Sequence, residues 1–251
     1  MLRDAAAHPV WRSYVLEAKY ECLRLLRTPS FALPSLLFPA LFYLLFGVVL
    51  GQSPGGQAAR YLLATYGVFG AMATGLFAFG VTLAIEREQG FLTYKRALPM
   101  PPGAHLLAKM AMAAMFSAMI SVLLAVIAAG LAGVTLRPAQ WALLFAINVI
   151  GVLPFSALGL FIGTLVGGQG APAVVNLIFL PMAFLSGLWI PLRMLPEPVN
   201  QIAPVWPSYH HAQIALKVIG MDAGGSLALH IAVLVTFTAV FLFLALRRLQ
   251  D

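Results

Sequence analysis

Ionisable side chains are scarce in this chain and, over one long stretch, absent. Only 9% of the 251 residues are charged, and no Asp, Glu, Lys, Arg or His occurs from Pro138 to Leu192. Ion-coupled carriers usually hold carboxylates or histidines at mid-membrane, because something there must bind the coupling ion. The gap argues against a proton-driven carrier and leaves open a sodium site built from carbonyls and hydroxyls. Cysteine is equally rare: Cys22 alone excludes an intrachain disulfide and a cysteine-rich metal centre. There is no H-E-x-x-H, and no G-x-x-x-x-G-K-[ST] with which to cradle ATP phosphates.

Apolar residues are what the chain has. They make up 61% of it, with a mean hydropathy of +0.93, against about 45–50% in soluble domains. A spanning helix needs about 20 apolar residues, and six runs qualify: 31–50, 61–85, 106–131, 141–166, 173–190 and 227–246. The expected fold class is an all-α integral membrane protein with six transmembrane helices, forming one transmembrane domain over residues 1–251. Residues 1–30 mix basic and acidic groups and lack an apolar core, so they do not read as a cleavable leader. Residues 11–27 repeat Trp11, Val15, Ala18, Cys22 and Leu26 at helical spacing, with basic residues on the other faces. That predicts an amphipathic helix in the membrane interface, its basic residues turned toward anionic lipid headgroups.

Prolines 34, 39 and 181 fall inside spans and are expected to kink or break them. Small residues recur at four-residue spacing: Gly67, Ala71 and Gly75 in the second span, and Gly159, Gly163 and Gly167 at the fourth. They are expected to let helices approach closely. Asn148 and Asn176 read as buried amides that bond between helices. Residues 191–226 are proline-rich, with apolar pieces too short to span, and predict a re-entrant or interfacial segment between helices five and six.

The net charge of +7, which in a soluble protein would suggest nucleic acid, here reflects Lys and Arg in cytoplasmic loops. With the amino terminus inside, eleven basic residues fall on cytoplasmic segments, Lys109 among them. Four fall outside: Arg60, Arg137, Arg193 and Lys217. Both termini are then cytoplasmic and residues 191–226 external. The densest interior charges, Glu86-Arg87-Glu88-Gln89-Gly90-Phe91-Leu92-Thr93-Tyr94-Lys95-Arg96-Ala97-Leu98-Pro99, are placed on the cytoplasmic side. On a helix Phe91, Tyr94 or Lys95, and Leu98 share one face, and Glu88, Leu92 and Arg96 another. Such an island suits docking into a groove on a soluble partner; it equally suits a plain solvated loop.

Three features together resemble the permease subunits of type-2 ABC exporters. Glu86, Gly90, Leu92 and Pro99, followed by Lys109, are similar to that family's E-x-x-x-G-T-L…P…K pattern, with Phe91 where Thr is usual. Ser186-Gly187-Leu188-Trp189-Ile190-Pro191, then Pro196, Pro204 and Pro207, resemble its S-G-x-x-x-P…L-P…P stretch. The plan of leader helix, six spans and a long fifth loop matches as well. The resemblance implies a permease in the cytoplasmic (inner) membrane that pairs with a second permease chain, as a homodimer or heterodimer, and with two ATP-binding subunits. This chain would bind no cofactor, ATP and Mg belonging to the partner subunits. Residues 86–99 would be the coupling loop, with Glu86, Arg87, Glu88, Gly90, Phe91, Leu92, Tyr94, Arg96, Leu98 and Pro99 at the ATPase. Ser186, Gly187, Pro191, Pro196, Pro204 and Pro207 would shape the external segment. The cargo expected from the apolar spans is a lipid, a glycolipid or glycan, or an amphipathic drug-like molecule. Two other readings are a non-transporting scaffold that recruits a soluble partner through the same loop, and an intramembrane enzyme using Ser208, His210 or His211.

Overall fold

The computed structural model describes residues 10–51, 55–91 and 103–250, and among these every regular element is a helix. In chain order they are α1 (Val10–Leu26), α2 (Pro29–Val49), α3 (Gln57–Glu88), α4 (Ala104–Gly130), α5 (Pro138–Ile150), α6 (Val152–Leu165), α7 (Ala171–Leu185), α8 (Glu197–Ile202), α9 (Pro207–Val218) and α10 (Leu227–Gln250). Among the described residues five helices can cross a membrane by length and composition: α2, α3, α4, the joined pair α5–α6, and α10. The sixth apolar helix, α7, is shorter. Its 15 residues rise about 22 Å at about 1.5 Å each, against a hydrocarbon core of about 30 Å.

The expected helix over 173–190 ends early for a local reason. Leu188 N–H reaches back to Ala183 O and Gly187 N–H to Phe184 O, both at 3.1 Å. This Schellman closure needs a residue in the left-handed region, which Gly187 supplies at φ +75°. Pro181 does not break α7; it lies inside it. The expected fourth helix is also corrected, because Gly151 divides it into α5 and α6. Three residues on, Pro154 has no N–H to return to the carbonyl four positions back. The His211 ring occupies the space a side chain at 151 would need. The last helix continues past Arg247 and Arg248 to Gln250 rather than stopping at 246, and the Arg247 guanidinium lies 4.6 Å over the Phe243 ring.

The bundle is built around α3. Of its most apolar stretch 72% is buried, against 11% for α10, so α3 is the axis and α10 a peripheral span. Tyr66, Met72 and Leu76 of α3 are fully buried beside Tyr43 of α2 and Phe155 of α6. Midway along, Thr74–Val81 widens into a π-helical turn, and Thr74 Oγ1 donates to Gly70 O and Ala71 O.

There the glycine ridges meet. A Cβ on Gly75 would stand 2.6 Å from the Phe155 Cβ, one on Gly159 2.7 Å from Gly75 O, and one on Gly163 2.7 Å from Gly80 O. Gly67 lies against the Asn148 amide. Gly167 is the exception: it sits in the turn after α6, and a Cβ there would meet only the Glu88 carboxylate, at 3.5 Å.

On α1, Trp11 and Val15 stand outward, 63% and 55% exposed, while Glu21 and Leu25 face the bundle at 5% each. After α7 the proline-rich segment forms short turns at Leu192–Met194 and Ala203–Val205 and the helix α8. It then returns as α9 against α3, α5 and α10.

Candidate functional site

Where α1, the end of α3 and the start of α4 meet, the bundle holds a buried ion network. Lys109, on the second turn of α4, is fully buried. Its ammonium donates to Glu21 Oε1 at 2.9 Å, Glu86 Oε1 at 3.0 Å and Thr82 Oγ1 at 2.8 Å. Three donors meet three acceptors, so the ammonium is saturated. The Arg24 guanidinium spans the same two carboxylates, 2.7 Å from each. His105 Nε2 lies 3.0 Å from Glu86 Oε2, and its Nδ1 faces Glu17 Oε1 at 3.4 Å. Burial pushes the Glu21 carboxyl up, but Lys109 and Arg24 outweigh that and hold it below the usual carboxylate range.

This arrangement changes the reading of two residues. Glu86 is 3% exposed and turned inward, toward Lys109 and His105, rather than presented to a partner. Lys109 is an interior counter-ion rather than a loop charge. Arg24, expected to face lipid headgroups, closes the network from its solvent side.

The next two residues staple α3 to the turn after α6. Arg87 donates to Thr164 O, and to Val166 O at 3.2 Å, satisfying carbonyls at the C-terminal end of α6. The Glu88 carboxylate accepts the Gly168 N–H. Gly90, at φ +76° with open space around it, turns the chain away after α3, and Phe91 is 49% exposed. Leu92, Tyr94, Arg96, Leu98 and Pro99 lie outside the described residues.

A second feature is a groove of about 510 Å³ between α2, α3 and α7, whose lining includes Phe38, Phe42, Phe77, Phe179, Asn176 and Trp189. Phe42 stacks on Trp189 with ring centroids 6.0 Å apart, and Phe77 meets Phe179 edge to face at 5.4 Å. Asn176, expected to be buried, is exposed on this surface.

The residues of the enzyme reading are occupied structurally. Ser208 Oγ pairs with Ser186 Oγ at 2.6 Å, not with a histidine. His211 donates to Ile147 O at 3.2 Å, and burial pushes it down to about 4. His210 Nε2–H donates to Pro204 O, so its Nδ1 accepts the hydrogen bond from His230 at 2.8 Å. Burial lowers His210 as well, and the His230 ring adds to the shift against the Pro204 bond. The string Gly51-Gln52-Ser53-Pro54-Gly55 has nucleophile-elbow spacing, but it joins α2 to α3 where such an elbow needs a strand before the serine. Among the described residues no group of three or more His, Cys, Asp or Glu is placed to hold a metal.

The family model of the ABC-2 type transporter matches residues 13–219, from α1 to just past the end of α9. The chain belongs to the ABC-2 type transporter family. It is therefore a membrane permease, the transport subunit, and it lacks the ATPase. YvfS of Bacillus subtilis (strain 168), a transport permease by name, is 28% identical over 235 residues, covering 92% of this chain and 95% of that protein. Nodulation protein J of Sinorhizobium fredii is 29% identical over 210 residues, covering 81% and 78%. Its namesake in Rhizobium leguminosarum bv. viciae is 30% identical over 205 residues, covering 77% and 75%. ABC-2 permeases pair with ATP-binding subunits, and ATP is hydrolysed there.

Within this permease the sequence reading missed Glu21, Lys109 and His105 as one site. A signal existed for Lys109, because an ionisable residue inside an apolar helix calls for a buried partner. Nothing in the sequence named that partner.

Proposed function

We propose that the permease exports a lipid, a glycolipid or glycan, or an amphipathic drug-like molecule across the cytoplasmic membrane. Two separate ATP-binding subunits dock on residues 86–99 and supply the energy. In this reading both termini are cytoplasmic, the 191–226 segment is external, and a second permease chain faces the aromatic groove. The observation that carries the proposal is the Glu21–Lys109–Glu86 network. It joins the leader helix, the axial helix and α4 at the point where the chain leaves the bundle for the proposed docking loop. A push on that loop is thus delivered to three helices together, and through Arg87 and Glu88 to the turn that starts α7.

The groove supports the choice of cargo. Aromatic faces take up acyl chains and the apolar faces of sugar rings, and Ser35 and Asn176 add polar groups at its edge. The test is ATP hydrolysis by the permease reconstituted with its ATPase subunits. Leu92→Ala is expected to abolish substrate stimulation while leaving membrane insertion intact, and Glu86→Gln to weaken it by loosening the joint behind the loop. Coupling that survives Leu92→Ala would refute the docking role.

A further inference from the structure

At the end of the bundle opposite Glu86, the start of α3, the turn at Leu192–Met194, the end of α9 and the loop beyond it enclose a cavity of about 370 Å³. Gln57, Tyr61, Arg193, Gln213, Met221 and Asp222 are among its walls. Several of its polar groups already have partners. Tyr61 O–H donates to Gly187 O at 2.6 Å, and Lys217 Nζ neutralises Asp222 at 2.7 Å.

What remains unpaired is a set of donors. Gln213 is only 3% exposed, and its Oε1 accepts the Ala223 N–H at 2.7 Å. That bond decides which way the amide is turned and leaves Nε2 without a partner among the described residues. Gln213 lines the cavity, so this amide is open to a ligand or water there. Arg193 is exposed and makes no ion pair among the described residues. Gln57 opens α3, whose first turn has no side-chain cap, so the positive end of the axial helix lies at the same cavity.

We propose that this cavity binds an anionic oxygen group, a phosphate or carboxylate. Arg193 is its counter-charge, and the Gln213 and Gln57 amides are its neutral donors. A cation would meet Arg193 and the helix N-terminus, and an apolar tail would leave Gln213 unanswered. An oxyanion satisfies all three donors and rests its carrier on Tyr61 and Met221. The site is independent of the transport reading, since it depends on the cavity walls alone. The oxyanion can arrive on a soluble phosphate ester or on a phospholipid headgroup.

The full chain, in phosphatidylcholine nanodiscs, is titrated with sn-glycerol 3-phosphate. In a second arm the nanodiscs also contain phosphatidylglycerol, and retained lipid is counted by native mass spectrometry. Saturable binding of the ester identifies a soluble ligand, and retention of phosphatidylglycerol alone identifies a headgroup. In either case Arg193→Gln, an exposed position that folding does not need, weakens binding by about tenfold or more, as expected for loss of a charged hydrogen bond. Gln213→Leu weakens it by a smaller factor. The proposal is overturned if neither probe binds above the phosphatidylcholine background, or if Arg193→Gln binds as tightly as the wild type.

Discussion

Glu21 and Lys109, 88 positions apart in the chain, meet at 2.9 Å in the interior and share their contact with Glu86. Removing one member of a buried ion group leaves the others charged and unpaired, which costs about 3–5 kcal/mol. Lys109→Met is expected to destabilise the permease by that order in detergent unfolding. The combined Glu21→Gln, Lys109→Met, Glu86→Gln variant should recover most of the loss, because the cation it strands, Arg24, is half-exposed and can be solvated. Equal stability of Lys109→Met and wild type would show that the network is not a structural joint.

The contact between α3 and α6 makes a paired prediction about glycines. Gly159→Ala puts a Cβ 2.7 Å from Gly75 O, a backbone atom that cannot step aside, and overpacking of this kind costs about 1–3 kcal/mol. Gly167→Ala meets only the tip of Glu88 at 3.5 Å and should change stability by less than about 0.5 kcal/mol. Thermal melts of the two variants side by side decide it; a large loss at Gly167 or none at Gly159 contradicts the packing.

Arg87 and Glu88 should hold the turn at residues 164–168 in place. Arg87→Ala frees the Thr164 and Val166 carbonyls, and Glu88→Ala frees the Gly168 N–H. Amide hydrogen exchange across the start of α7 is expected to accelerate in both variants, with the ion network unaffected. If protection there stays at wild-type level, the staple carries no weight.

Acid should loosen the α9 contact. Burial holds the His211 imidazole at about 4, below its ordinary 6.5. The unfolded chain therefore binds this proton more readily than the folded one. The resulting stability is present above about 6.5 and lost as pH falls through about 4. Glu21, held below the carboxylate range, adds a further loss at still lower pH. Melting temperature should decline between pH 6.5 and 4 in the wild type and decline less in His211→Asn; parallel curves would exclude His211 as the cause.

Much of the fold was legible from spacing. Apolar runs placed the spans to within a few residues, and four-residue glycine spacing marked the surfaces that α3 and α6 press together. The errors have specific causes. Gly187 ends α7 early through two backbone hydrogen bonds that hydropathy does not register. Gly151 and Pro154 interrupt an apolar run without interrupting its apolarity.

The sequence by itself determined a helical membrane protein, a family, and a charged exit from its second span, because these depend on composition, period and local order. Only the tertiary structure decided what the charges at that exit do. Charge pairing is a property of distance in space, and Glu21, Glu86 and Lys109 come from three helices. Their meeting converts Glu86 from an exposed docking charge into the inner end of a joint, and it assigns Arg87 and Glu88 to a turn almost eighty residues away.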